Sequence, residues 1–202
     1  MTAENVRTLT DGEIREIAET YADYAFSNGE ENFFTLLGSR EDIIRYQAAS
    51  LKMALKAGWI WTIGDDRQAY IAITTSEWKP PVSLLVKFPF IVMKSVRLSS
   101  LTHMLKLVRR AGPSLADMMR KNKEPFVNVA MLCVRKPYQG KGYMRQALDV
   151  AKSMAEKKGI PCVLETDEMV KVEKYRHLGM TLAGMRHITT TMTLYDMIWY
   201  PS

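Results

Sequence analysis

Residues 134–148 read VRKPYQGKGYMRQAL, which sets Gly140 and Gly142 among Lys136, Lys141 and Arg145 and then continues into an apolar repeat. Glycines let backbone N–H groups come close to a bound oxygen, and a helix that starts at the same place adds unpaired N–H groups and a favourable dipole. The stretch is therefore a candidate cradle for a phosphorylated group. Two familiar loops do not fit it. A Walker A loop needs a glycine five residues before Gly142 and a Lys-Ser or Lys-Thr after it, and neither is present; a dinucleotide fingerprint needs glycine where Arg145 stands. The same two glycines also suit an ordinary strand-to-helix turn.

The surroundings supply the fold. FVNVAMLCV at 126–134 is a nearly continuous apolar run, which predicts a central strand buried on both faces. After the loop, Met144, Ala147, Leu148, Ala151, Met154 and Ala155 share one helical face that ends at Gly159. PCVLET at 161–166 predicts a second strand, VKVEKYRHLG at 170–179 a short helix, and 181–190 with 192–200 a closing β-pair. On the N-terminal side, Thr10 with Glu13 and Ser39 with Asp42 mark two helix starts, the second helix stopping at Gly58. Residues 59–76 form two β-rich runs around Gly64-Asp65-Asp66, a hairpin signal. Pro80, Pro81 and Pro89 then break regularity, and helices are expected near 99–110 and 114–122 on either side of Gly112-Pro113. The order α-α-β-β, insertion (about 77–125), β-α-β-α-β-β predicts an α/β protein with a mixed central sheet flanked by helices, and 202 residues suit one domain.

Composition excludes several classes. Hydrophobic residues at 47% and charged residues at 25% are ordinary globular values. Cys133 and Cys162 lie in apolar runs and read as small buried hydrophobes, and with His103, His177 and His187 scattered no metal site is expected. The greasy stretch at 82–93 is interrupted by Lys87 and Pro89 and is too short to span a bilayer, and MTAENVRTLTDGEI lacks the apolar core of a signal peptide. A cytoplasmic protein without membrane attachment is the expectation. Residues 94–123 carry a net +7 and the rest of the chain −1. That segment reads either as a solvated helical face or as a patch for an anionic ligand; nucleic acid is not expected, because interleaved aromatics are absent.

The stretch from Val134 through Pro137, Gln139-Gly140-Lys141-Gly142 and Ala147-Leu148 resembles motif A of the GNAT N-acetyltransferase superfamily, the acetyl-CoA signature Q/R-x-x-G-x-G/A. Some thirty residues on, LETDEMVKVEKYRHLGM at 164–180 resembles the superfamily's second signature, and its Leu-Glu-Thr is similar to the puromycin N-acetyltransferase branch. The resemblance implies a GNAT fold over the whole chain and an acetyl-CoA-dependent N-acetyltransferase. The pyrophosphate of coenzyme A would rest on backbone amides of Gln139, Gly140, Lys141, Gly142, Tyr143 and Met144, with Arg145 adjacent. The central strand would splay, and the backbone of Leu132, Cys133 and Val134 would pair with the pantetheine arm. Two positions depart from the pattern. Met144 stands where the motif has Gly or Ala, and either alters the loop or turns into the core. Lys171 replaces a usual Asn, and either meets a phosphate or points to solvent.

Transfer of an acetyl group needs a neutral amine, a polarised carbonyl and a proton for the departing sulfur. The sequence has no Ser-His-Asp or Cys-His signature, which agrees with direct attack in a ternary complex. By the resemblance, Tyr175 is the general acid; Glu165, ending its strand, is the candidate base or alternatively a turn former. Asn128 can orient a water or fill a bulge, and His177 and His187 are expected to be exposed. The acceptor pocket implied by the resemblance lies between the first two helices and the last β-pair, with Tyr21, Tyr24, Phe33, Phe34, Trp59, Trp61 and Trp199 as its aromatic candidates. A small-molecule primary amine is the expected acceptor. The alternatives are a protein amine, or a non-catalytic acyl-CoA-binding regulatory module; a homodimer is compatible with all three.

Overall fold

The computed structural model describes residues 2–27, 32–78 and 98–201, without the side chains of Leu101 and Met104. Pro80, Pro81, Pro89, the apolar stretch 82–93, Lys94 and Arg97 lie outside the described residues. In chain order the elements are β1 (Ala3–Asn5), α1 (Asp11–Ala25), α2 (Arg40–Ala57), β2 (Ile60–Ile63), β3 (Ala69–Thr75), α3 (Leu98–Ala111), α4 (Leu115–Asn122), β4 (Val127–Val134), α5 (Tyr143–Lys158), β5 (Cys162–Thr166), α6 (Met169–His177), β6 (Thr181–His187) and β7 (Thr193–Trp199).

Local chemistry fixes the helix ends. Thr10 with Glu13, Ser39 with Asp42 and Ser114 with Asp117 each form a complete capping box, so backbone N–H groups at three helix starts are satisfied reciprocally. Gly58 and Gly159 close α2 and α5 in the left-handed conformation.

Among the described residues the strands form one seven-stranded sheet in the order β1-β2-β3-β4-β5-β7-β6. Of the pairs described, β4–β5 alone is parallel, so the sheet is mixed, as the sequence predicts. The three-residue strand β1 was not foreseen: it pairs with β2 through Ala3, Glu4 and Asn5. One sheet face buries Ile71, Val127, Val129 and Leu164 under Leu148 and Ala151 of α5 and Val172 of α6. The opposite face packs Ile60, Tyr70, Ala72 and Cys133 against Ile14 and Ile17 of α1 and Leu51 of α2. Further along that sheet, α4 seats Met119 on Phe126, Val163 and Ile198.

The register of β4 against β3 shifts between Ala72 and Ile73, which face Met131 and Val129, leaving Ala130 as an extra residue. Side chains alternate strictly along a strand, so one extra residue reverses the parity. Val127 and Val129 pack on the α5 side before the bulge, and Leu132 and Val134 do so after it. The expectation of a strand buried on both faces holds only in part: Val127 and Val129 are buried on the α5 side and Cys133 on the other. Ala130 is exposed, and Met131, Leu132 and Val134 are half-buried.

If α4 belongs to the core, Met119→Ala should lower the unfolding free energy by about 2–3 kcal/mol. Urea denaturation checks this, and a loss below about 0.5 kcal/mol would show that the helix is a loosely attached appendage.

Candidate active-site cleft

Beyond Val129 and Leu164, β4 and β5 no longer pair. β4 runs on to Val134 beside β3, while β5 runs on to Thr166 beside β7. The gap between them widens into a cleft of about 940 Å³. An interior strand edge bared in this way carries backbone groups that need partners. Two side chains serve: the Tyr21 hydroxyl donates to the Leu132 carbonyl (2.8 Å), and the Gln139 amide donates to the Val134 carbonyl (3.1 Å).

The glycine loop closes one end. Gly140 (φ +75°) and Gly142 (φ +83°) hold left-handed conformations that a side chain disfavours. Gly142 is the N-cap of α5 and supplies no side-chain cap. A Cβ placed on either glycine meets nothing within 4 Å, so the first turn of α5 looks into open space. Gln139, Gly140, Gly142, Tyr143 and Met144 line the cleft together with Leu132, Cys133 and Val134. Lys141 and Arg145 are exposed beside it, and the Lys141 ammonium lies 5.6 Å from the centre of the Tyr138 ring. Of the two alternatives for Met144, the structure shows the core: the side chain is half-buried against the α5 cluster.

Tyr175 of α6 also reaches the cleft, although only 8% exposed. Burial, reinforced by the Asp167 charge, pushes its phenol well above the ordinary value, so it stays protonated. Its hydroxyl has no hydrogen-bond partner among the described residues. Tyr21 and Tyr24 are shifted in the same direction, again chiefly by burial.

Lys171 lines the cleft and, half-buried there, is held by neighbouring side chains. Its ammonium bonds Asp167 (3.1 Å), lies 3.7 Å from Glu168 and stands 4.2 Å over the Tyr24 ring. Tyr24 in turn donates to Glu168, and the Phe33 backbone N–H donates to Asp167 (3.1 Å). This cluster ties α1 and the residues after it to the turn between β5 and α6. Glu165 lies at the cleft wall but is bonded by Arg186, which also holds Asp196 (3.1 Å). Asn128 lines the cleft and donates to Thr74 (3.3 Å). Burial raises the Cys133 thiol to about 12, which leaves it a poor nucleophile. His177 and His187 are exposed.

Of the aromatic candidates, Tyr21, Tyr24, Phe33, Phe34 and Trp59 line the cleft. Trp61 and Trp199 do not; both pack into the α5 side of the sheet, and Trp199 lies 5.3 Å from the Lys152 ammonium. Sequence reasoning missed Asp167, Arg186 and Tyr46. The i, i+4 spacing of Asp167 and Lys171 is a readable signal. The Glu165–Arg186 pair joins two strands separated by β7 and left no local trace.

No family model matches the sequence, and no curated protein matches it by sequence. Solved structures do match over the whole chain. Arylalkylamine N-acetyltransferase 2 from Aedes aegypti is 13% identical, with 100% of this chain and 99% of that one covered and a TM-score of 0.59. An N-acetyltransferase from Staphylococcus aureus Mu50 is 12% identical, with 98% and 100% covered and a TM-score of 0.58. The polyamine N-acetyltransferase of Drosophila melanogaster is 13% identical, with 98% and 100% covered and a TM-score of 0.56. At such identities the likeness is one of architecture: the chain has the single-domain α/β fold of the GNAT acetyltransferases.

The Lys171 cluster makes a stability prediction. Lys171→Met should cost about 2 kcal/mol, since Asp167 would lose its charged partner while remaining buried. Thermal or urea unfolding measures it, and an unchanged midpoint would mean that the pair contributes nothing.

Proposed function

We propose that the protein is an acetyl-CoA-dependent N-acetyltransferase acting on the primary amine of a small molecule by direct attack in a ternary complex. One observation carries the reading: the glycine loop, the bared edge of β4 and Tyr175 all line a single cleft. The donor fits the residues present, because the first turn of α5 is uncapped and its glycines leave open space before it. In this reading the amides from Gln139 to Met144 hold the pyrophosphate, with Lys141 and Arg145 adding charge. The backbone of Leu132, Cys133 and Val134 holds the pantetheine arm, for which Tyr21 and Gln139 yield their present bonds. When bound, the donor supplies an acetyl thioester.

Tyr175 gives its proton to the departing sulfur. A phenol kept protonated by burial and with no hydrogen-bond partner among the described residues suits that task. Glu165 faces the acceptor from the end of β5 and receives the ammonium's proton. Arg186 holds that carboxylate in place, so the pair must loosen as the proton arrives. The solved relatives include enzymes named for agmatine, polyamines and arylalkylamines, which supports a small amine as acceptor. The Leu-Glu-Thr ending of β5 points the same way through its similarity to puromycin N-acetyltransferase.

Free-thiol release from acetyl-CoA over a panel of amines, together with calorimetric binding of coenzyme A, tests the proposal. Tyr175→Phe should lower kcat by about 100-fold or more while coenzyme A affinity stays within about twofold. An unchanged kcat would remove Tyr175 from the mechanism, and binding without thiol release from any amine would indicate a non-catalytic acyl-CoA module. Because the Tyr175 phenol titrates above its ordinary value of 10, it should contribute no alkaline fall in kcat below about pH 10.

A further inference from the structure

Glu165 of β5 and Asp196 of β7 are register partners, and both line the cleft. They share the sheet face that carries α4, as do Val163 and Ile198 two residues along each strand. Like charges directly opposite one another on a sheet repel. Arg186 of β6 offsets this repulsion by bonding both carboxylates, so the trio keeps one negative charge in excess. The guanidinium is shared unequally. Asp196 accepts two of its N–H groups side by side, from Nε at 3.1 Å and Nη2 at 3.4 Å. It also accepts the backbone N–H of Leu115 at the start of α4 (3.3 Å). Nη1 of Arg186 donates to the Gly112 carbonyl (3.3 Å). Glu165 accepts a single bond, from Nη2. Exposure follows the same order: the side chains of Asp196 and Arg186 are 5% and 10% exposed, that of Glu165 39%. Of the two carboxylates, Glu165 is the one free to exchange its partner.

That asymmetry matters for the proton transfer in the reaction proposed above. The acceptor ammonium gives a proton to Glu165: an N–H bond breaks, an O–H bond forms, and the carboxylate loses its charge. Arg186 then faces a neutral acid. With Glu165 as its sole partner, the buried guanidinium would become an unpaired charge, which is strongly destabilising. With Asp196 present, the guanidinium keeps a charged partner before and after the transfer. Granted the acetyltransferase reading with Glu165 as base, we propose that Asp196 is a positioning residue: by holding Arg186, it lets Glu165 exchange its ion pair for the acceptor's proton. Its effect passes through Arg186 and Glu165 and needs no contact with the acceptor.

The test is a double-mutant cycle read by free-thiol release from acetyl-CoA. The acceptor is whichever of tyramine, phenethylamine, spermidine and agmatine turns over fastest. Asp196→Asn keeps the size of the side chain and an oxygen for the Leu115 N–H, and removes the charge. It should lower kcat by about tenfold or more, with coenzyme A affinity within about twofold. In the Glu165→Gln background the same substitution should change the remaining kcat by less than about twofold, because the group through which Asp196 acts is gone. Arg186→Lys keeps the charge and loses the fork that bonds two carboxylates, so it should show the same dependence on Glu165. It takes the place of Asp196→Asn should that variant not fold. An equal fall in kcat in both backgrounds would make Asp196 a purely structural residue and overturn the proposal, as would an unchanged kcat for Asp196→Asn alone. An unchanged kcat for Glu165→Gln would remove the base and this inference with it, leaving the acetyltransferase reading intact. Thiol release from no amine at all would overturn both readings together.

Discussion

Everything the cleft does depends on the parting of β4 from β5. Parallel pairing lasts only from Val127 with Cys162 to Val129 with Leu164. Immediately after it, Ala130 enters β4 as an unpaired extra residue, bending the strand and reversing the faces of the residues that follow. The cost of such an opening is an interior edge whose backbone groups have lost a neighbouring strand. Tyr21 and Gln139 act as partial substitutes for that strand on the carbonyls of Leu132 and Val134. The edge is held in a form that an extended, amide-bearing chain can take over, because the exchange replaces one hydrogen bond with another.

The rest of the site follows from closing the two ends of the opening. At one end the chain must turn sharply from β4 into α5, and two left-handed glycines do so without a capping side chain, leaving the first turn of the helix unobstructed. At the other, the turn from β5 to α6 carries Asp167 and Glu168, which Lys171, Tyr24 and the backbone of Phe33 bind from three directions. These bonds set the distance between α1 and α6, and so the width of the cleft in front of Tyr175. The same bonds occupy both carboxylates of that turn, Asp167 and Glu168.

How much of this could be read from the sequence depended on the range of the interaction. The capping boxes at Thr10 and Ser39, the terminating glycines and the parallel strand-helix-strand unit are decided within a few residues, and all appear where their patterns place them. The glycine loop and the helix bearing Tyr175 were legible for the same reason. The bulge at Ala130 was not, because an extra residue in an apolar run does not disturb its hydrophobicity. Strand β1 is three residues long and too short to show a period. Trp61 and Trp199 were misplaced because strand parity relative to the cleft depends on the whole sheet. Arg186 could not have been assigned to Glu165 without knowing that β7 lies between their strands.

The central claim is that the bared edge of β4 and the uncapped start of α5 form one binding surface for acetyl-CoA. Amide hydrogen exchange with and without coenzyme A tests it most directly. The account predicts new protection at amides between Ala130 and Val134 and between Gly140 and Gln146, both appearing at the same coenzyme A concentration. Protection absent from both segments, or confined to the basic helices α3 and α4, would contradict it.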